Sequence, residues 1–167
     1  MPYVPINVGA APDDGTGDDL RTAFEKVNAG FAELACEVGT FTPTLGAGDA
    51  DPSVTYGQQQ GVWARVGPLV FVFVRVDWTA ISGGSGNVRI RGLDALPTPV
   101  MSVTQILPGR ATGVNFGTGR SAVYATFPSA GELQVASYGS AIGTQTINMT
   151  HLTSNGSFLF QGVYVTA

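Results

Sequence analysis

The stretch from Leu69 to Trp78 constrains this chain more than any other. Valine stands at positions 70, 72, 74 and 76, so one face of an extended segment is continuously β-branched. Leu69, Phe71 and Phe73 make the opposite face apolar as well, until it turns polar at Arg75 and Asp77. A strand that is apolar on both faces has to be covered on both sides. One cover is the core of its own domain, which Val72 and Val74 are expected to enter. The other side, carrying Phe71 and Phe73, is then the candidate subunit interface.

Period-2 patterning recurs along the C-terminal two thirds of the chain. Val62–Val66 reads as a strand, and Ser82–Gly86 as a hairpin turn that returns through Asn87–Leu93. Further strands are expected over Met101–Leu107, Ala122–Phe127, Glu132–Tyr138, Thr146–Leu152 and Ser157–Val165. Turn signals at Pro108-Gly109, Gly117-Thr118-Gly119, Pro128–Gly131 and Asn155-Gly156 separate them. The chain has 167 residues, and its 23 glycines and 10 prolines favour turns over long helices. Only 12% of residues are charged, about half the usual share. The pattern predicts a mainly β fold, an antiparallel β-sandwich or jelly-roll-like domain over residues 56–167.

The N-terminal part follows different rules. Pro2 to Pro12 is proline-rich and extended, and Asp13–Asp19 is an acidic, turn-forming loop. One short helix is expected from Asp19 to Val38, with Asp19 as its cap. Leu20, Phe24, Val27, Phe31, Leu34 and Val38 fall at alternating steps of four and three, the spacing of a coiled-coil seam. The same spacing also suits an amphipathic helix lying on its own domain. Gly39 is expected to stop the helix, and residues 39–55 read as a linker. Residues 1–38 thus form an N-terminal arm and helix. This segment has seven acids against Arg21 and Lys26, a balance of −5, and the rest of the chain is +1, within a net charge of −4.

The inventory of reactive groups is thin. His151 is the only histidine and Cys36, placed on the helix off the seam, the only cysteine, so no internal disulfide is expected. No nucleophile motif accompanies either, no multi-ligand zinc site can be assembled, and Asp13, Asp14, Asp18 and Asp19 lack the spacing of a calcium loop. Gly15-Thr16-Gly17 lacks the lysine of a phosphate loop. Two glycosylation triplets, at Asn148 and Asn155, have no secretion signal ahead of them. The chain is expected to be no enzyme and to bind no cofactor. Its acidity disfavours nucleic acid, and no apolar run is long enough for membrane insertion. Trp63, Trp78, Tyr56, Tyr124, Tyr138 and Tyr164 are expected to pack in the core or at an interface, with sugar contact as the functional alternative.

Two stretches carry a resemblance. Ile6-Asn7-Val8-Gly9, Asp14-Gly15-Thr16-Gly17-Asp18, Leu20–Phe24, Val27-Asn28 and Phe31–Leu34 together resemble an N-terminal module of tailed-bacteriophage virion proteins. Gly30 departs from that pattern, which usually has asparagine there. Gly61–Gly67, Val70–Val76, Gly86–Leu93 and Pro97 resemble the head domains of phage tail fibres. The resemblance implies a structural protein of a phage particle that works as a homotrimer on the virion surface, assembled in the host cytoplasm. It makes Ile6, Val8, Asp14, Asp18 and Arg21 candidates for docking to other virion proteins of capsid or tail. Leu20, Phe24, Val27, Phe31, Leu34, Phe71 and Phe73 become candidates for the trimer interface. A short surface spike or fibre that displays its β domain for host-surface glycan adhesion is the leading expectation, with no glycan-binding residue assigned. A capsid decoration protein that stabilises the particle without a receptor is the alternative.

Overall fold

A computed structural model describes residues 4–11, 15–33, 36–100, 104–116, 118–120, 122–139 and 143–166. The extended arm leads into α1 (Leu20–Glu33), and every later element but one is a strand. The first five strands are β1 (Cys36–Phe41), β2 (Thr44–Ala47), β3 (Ala50–Val66), β4 (Leu69–Ser85) and β5 (Val88–Arg91). They are followed by β6 (Ile106–Val114), β7 (Ala122–Ser129), β8 (Glu132–Gly139) and β9 (Gly143–Thr146). A single 3-10 turn, Met149–His151, precedes β10 (Leu152–Val165).

All ladders are antiparallel and form one ten-stranded sheet in the order β1-β3-β4-β10-β6-β7-β8-β5-β2, with β9 on β8. The sheet is not closed. It folds over so that β2 lies against β3, where the Leu45 N–H donates to the Tyr56 hydroxyl at 2.9 Å. This arrangement is consistent with the expected sandwich. Val70, Val72, Val74, Val76 and Trp78 on β4 all point into the core. Opposite them stand Phe158, Phe160 and Tyr164 from β10, with Trp78 and Phe158 ring centroids 5.3 Å apart. Burying each such side chain stabilises the fold by about 1.5–3 kcal/mol.

Several expectations need correction. The helix ends by Glu33, and Cys36 and Val38 belong to β1, because residues 36–41 pair in full with β3 from Cys36–Val66 to Phe41–Gly61. The ladder pairs the backbone groups of residues 36–41 that face β3. Gly39 is therefore a strand glycine and no helix stop. Its place on β1 leaves room for the Trp63 indole.

The segment 39–55 is strand rather than linker, since β2 lies within it and β3 starts at Ala50. Its glycines and prolines misled because glycine here supplies space: a Cβ on buried Gly46 would sit 3.1 Å from the Arg91 guanidinium and the Asp51 carboxylate. The strand framework begins at Cys36, ahead of the expected boundary at residue 56.

Ser82–Gly86 does not close a β4–β5 hairpin. β4 runs on to Ser85 against Ala50 of β3, and β5 pairs instead with β2 and β8. Left-handed φ values at Gly83, Gly84 and Gly86 turn the chain across to the other layer.

Thr146–Leu152 is not one strand, because Asn148 and His151 close a reciprocal cap around the 3-10 turn. The strand expected over Met101–Leu107 overlaps β6 only at Ile106 and Leu107, and β6 runs on through Pro108-Gly109, expected as a turn, to Val114; residues 101–103 lie outside the described residues.

Candidate functional site

The arm and the loop before α1 form a clasp. The Asn7 N–H donates to Asp18 Oδ2 at 2.8 Å, and the Asp18 N–H donates back to the Asn7 carbonyl at 2.8 Å. Asn7 also donates its side-chain amide to the Thr16 carbonyl at 2.7 Å. Lys26, in the second turn of α1, reaches Asp18 Oδ2 at 2.6 Å and the Pro5 carbonyl at 3.3 Å. A Cβ on Gly17 would stand 3.1 Å from the Asn7 carbonyl, so the glycine lets the arm come close to the loop. The Lys26 ammonium and the Asn7 N–H hold the Asp18 carboxyl below the usual carboxylate range. Asp19 caps α1, accepting from the Thr22 N–H at 2.7 Å, and that bond lowers its carboxyl in the same way.

Of the docking candidates, Asp18 is thus a structural clasp residue, and Arg21 pairs with Glu25 on the exposed side of α1. Ile6 and Val8 are exposed on the clasped arm, at 38% and 85%. Asp14 lies outside the described residues. Sequence reasoning missed Asn7 and Lys26, whose roles depend on a contact eleven residues away in one case and eight in the other.

A second feature is the outer face of the layer β1-β3-β4-β10-β6. Register aligns Val38, Ala64, Phe71 and Val163 in one row across four strands, and Thr40, Val62, Phe73 and Gln161 in the next. Cys36, Val66, Leu69 and Val165 make a third row. Phe71 is 49% exposed and Phe73 half-buried. A shallow groove of about 500 Å³ runs between Val62, Phe71, Phe73 and Val163, floored by Gly162 and closed by Pro108 of β6. Beyond Phe73 the face becomes polar, with Arg75 paired to Asp77 at 2.6 Å and the Thr112 and Ser157 hydroxyls 2.8 Å apart. On α1, Leu20, Phe24 and Phe31 are also exposed while Val27 is half-buried. Leu34 lies outside the described residues.

The outer face of the other layer has different chemistry. Arg89, Arg91, Glu132 and Asp51 form an ion-pair network there, with Arg91 at 2.6 Å from Asp51 and 3.5 Å from Glu132. Tyr138 on β8 stands diagonal to Tyr124 on β7 and pairs with Thr144 of β9, while Gln134, four residues along β8, donates to the Thr146 hydroxyl at 3.1 Å. Tyr138 is 48% exposed. The remaining aromatics point inward: Trp78 and Tyr164 are buried, and Trp63 and Tyr56 pack against the core. Tyr164 donates to the Pro97 carbonyl at 2.8 Å, and burial raises its phenol well above the ordinary value.

His151 accepts the Asn148 N–H through Nδ1, which makes it part of a turn cap. Cys36 is exposed on β1. Among the described residues no cluster of histidine, cysteine and acids could hold a metal, and no helix is long and apolar enough to cross a membrane.

The fold has a counterpart among solved structures. It is similar to the crystal structure of the Dettilon tailspike protein (gp208). The two superpose with a TM-score of 0.63 at 19% sequence identity, over 78% of this chain and 24% of that one. The chain therefore spans about a quarter of the tailspike's length. No family model matches the sequence, and no curated protein matches it. The likeness establishes a fold shared with part of a phage tailspike.

Proposed function

We propose that this chain is a tail-associated structural component of a phage particle, a short homotrimeric spike or fibre on the virion surface. Its clasped N-terminal module docks it to other virion proteins, and its β domain is displayed for adhesion to host-surface glycan. The observation that carries this reading is the tailspike likeness, which extends over 78% of the chain. The N-terminal phage module supports it, since Asn7, Gly17 and Asp18 of that pattern are the residues that lock the arm against α1.

The Tyr124–Tyr138 patch is the part of the β domain suited to sugar contact. It sets an exposed aromatic ring beside the hydroxyl of Thr144, with Thr146 and the Gln134 amide further along the same face. Rings offer an apolar face, and amides and hydroxyls both donate and accept. Immunogold labelling of intact particles with antibody to the chain tests the assignment. Label on the tail is expected. Label distributed over the capsid lattice overturns it in favour of decoration. On arrays of bacterial surface polysaccharide, Tyr138→Ala is expected to abolish binding by the full chain, and unchanged binding removes Tyr138 from the site.

A further inference from the structure

We infer that the apolar outer face of β1, β3, β4, β10 and β6 is covered by a second copy of this chain, and that the α1 seam belongs to the same contact. The inference deepens the homotrimer proposed above and rests on that reading for the number of copies. The choice of surface rests on the contrast between the two layers. Water-facing sheets alternate apolar-in with polar-out. The layer bearing Arg89, Arg91, Glu132 and Gln134 obeys that rule. The layer bearing Phe71 breaks it over three successive rows, in which no residue is charged.

A face without charge offers nothing to select a charged partner, whereas another copy brings the same apolar rows. Cyclic symmetry can set these surfaces against one another without leaving one uncovered. The rows span roughly 14 Å across four strands and about 14 Å along them. That is small beside the roughly 800 Å² per partner of a standard stable interface, so a second contact is needed.

The helix supplies it. On α1 the large apolar residues are Leu20, Phe24, Val27 and Phe31, flanked by Arg21 and Asn28 on one side and by Ala23 and Gly30 on the other. This stripe is narrower than a helix lying on a sheet requires, and small flanking residues let a like helix approach. Two heptads are too short to associate unaided. Only two residues separate Glu33 from Cys36, which stands in the apolar row with Val66, Leu69 and Val165. A neighbouring copy that engages the seam therefore meets the sheet face directly.

Sedimentation equilibrium on the full chain tests the inference, with Cys36 as a built-in reporter. The native chain is expected to associate at micromolar concentration, and a short bis-maleimide is expected to link Cys36 between copies. Phe71→Asp places its charge on an already exposed position, so the monomer keeps its circular dichroism. Its dissociation constant is expected to rise at least 100-fold, with loss of the Cys36 cross-link. Thr126→Asp, on β7 of the other layer, is expected to associate as the native chain does. The inference is overturned if the native chain is monomeric at 100 µM or if Phe71→Asp associates normally. Association that depends on Phe71 without any label on particles would leave this interface standing while the virion assignment falls.

Discussion

Asn7 and Asp18 hold each other by reciprocal backbone contacts, each N–H donating to an oxygen of the other at 2.8 Å. The ten residues between them are thereby closed into a loop, and Lys26 seals it from the helix side. The Asp-Gly-Thr-Gly-Asp run is thus a closure device. Thr16 supplies a carbonyl, Gly17 supplies room, and Asp18 accepts from two donors.

The first prediction concerns acid. Both donors stabilise the ionised Asp18, so its folded pKa is depressed. The clasp's contribution is present above the ordinary carboxylate value of 3.8 and is lost as the pH falls through the lower folded value. The amide resonance of Asn7, followed by NMR, should titrate with a midpoint below 3.8. Asp18→Asn should abolish that titration and lower hydrogen-exchange protection at Asn7. A midpoint at or above 3.8 would show that the clasp is open in solution.

The second prediction turns on two glycines that look equivalent in the sequence. A Cβ on Gly39 would come within 2.5 Å of the Trp63 indole, whereas one on Gly30 meets nothing within 4 Å. Gly39→Val should overpack the β1–β3 edge and cost about 1–3 kcal/mol. For a domain of this size each kcal/mol lowers Tm by about 2–4 °C. Gly30→Ala should instead raise the helicity of α1, since alanine is favoured over glycine by about 1 kcal/mol in a helix interior. Thermal melts and far-ultraviolet circular dichroism read both. An unchanged Tm for Gly39→Val would mean the indole does not rest on that glycine.

What the sequence made legible was whatever depends on near neighbours. The alternation of Val70 to Val76 gave the core face, and the extents of β7 and β8 were read within two residues. Asp19 was recognisable as a cap because capping is a three-residue relationship. Long-range pairing was not legible. Val88–Arg91 has the pattern of a hairpin partner for β4, and only the register shows that it joins β2 and β8 instead. Cys36–Phe41 continues a helical spacing by coincidence, and the competing ladder with β3 lies far along the chain. The Arg91–Asp51–Glu132 network draws on β3, β5 and β8 and left no local pattern to read.

The third prediction isolates one buried hydrogen bond. Tyr164 is 1% exposed, and its hydroxyl satisfies the Pro97 carbonyl across the core. Tyr164→Phe keeps the ring contact with Phe127, whose centroid is 4.9 Å away, but leaves that carbonyl without its donor. The expected cost is about 1–2 kcal/mol, read from denaturant unfolding at unchanged m. A neutral result would mean that water replaces the hydroxyl.

The last prediction compares one substitution at two positions on the same strand. Phe71→Asp falls on the outer face and should leave the monomer folded. Val74→Asp falls where the side chain is fully buried, between Gly61 on β3 and Phe160 on β10. An ionised carboxylate there has no partner, so the folded domain would take up a proton instead. Holding a group of ordinary pKa about 3.9 in its neutral form costs about 4 kcal/mol at pH 7 and about 1.5 kcal/mol at pH 5. The loss of valine packing adds about 2 kcal/mol at either pH. This folded pKa is raised, so the variant gains stability as the pH falls, opposite in sign to Asp18. Val74→Asp should therefore be largely unfolded at pH 7 and regain a cooperative melt at pH 5, whereas Val74→Ala should melt cooperatively at both. Near-ultraviolet circular dichroism of the Trp78 environment follows the transition. A Val74→Asp chain that melts within a few degrees of the native protein at pH 7 would mean that this face of β4 does not enter the core.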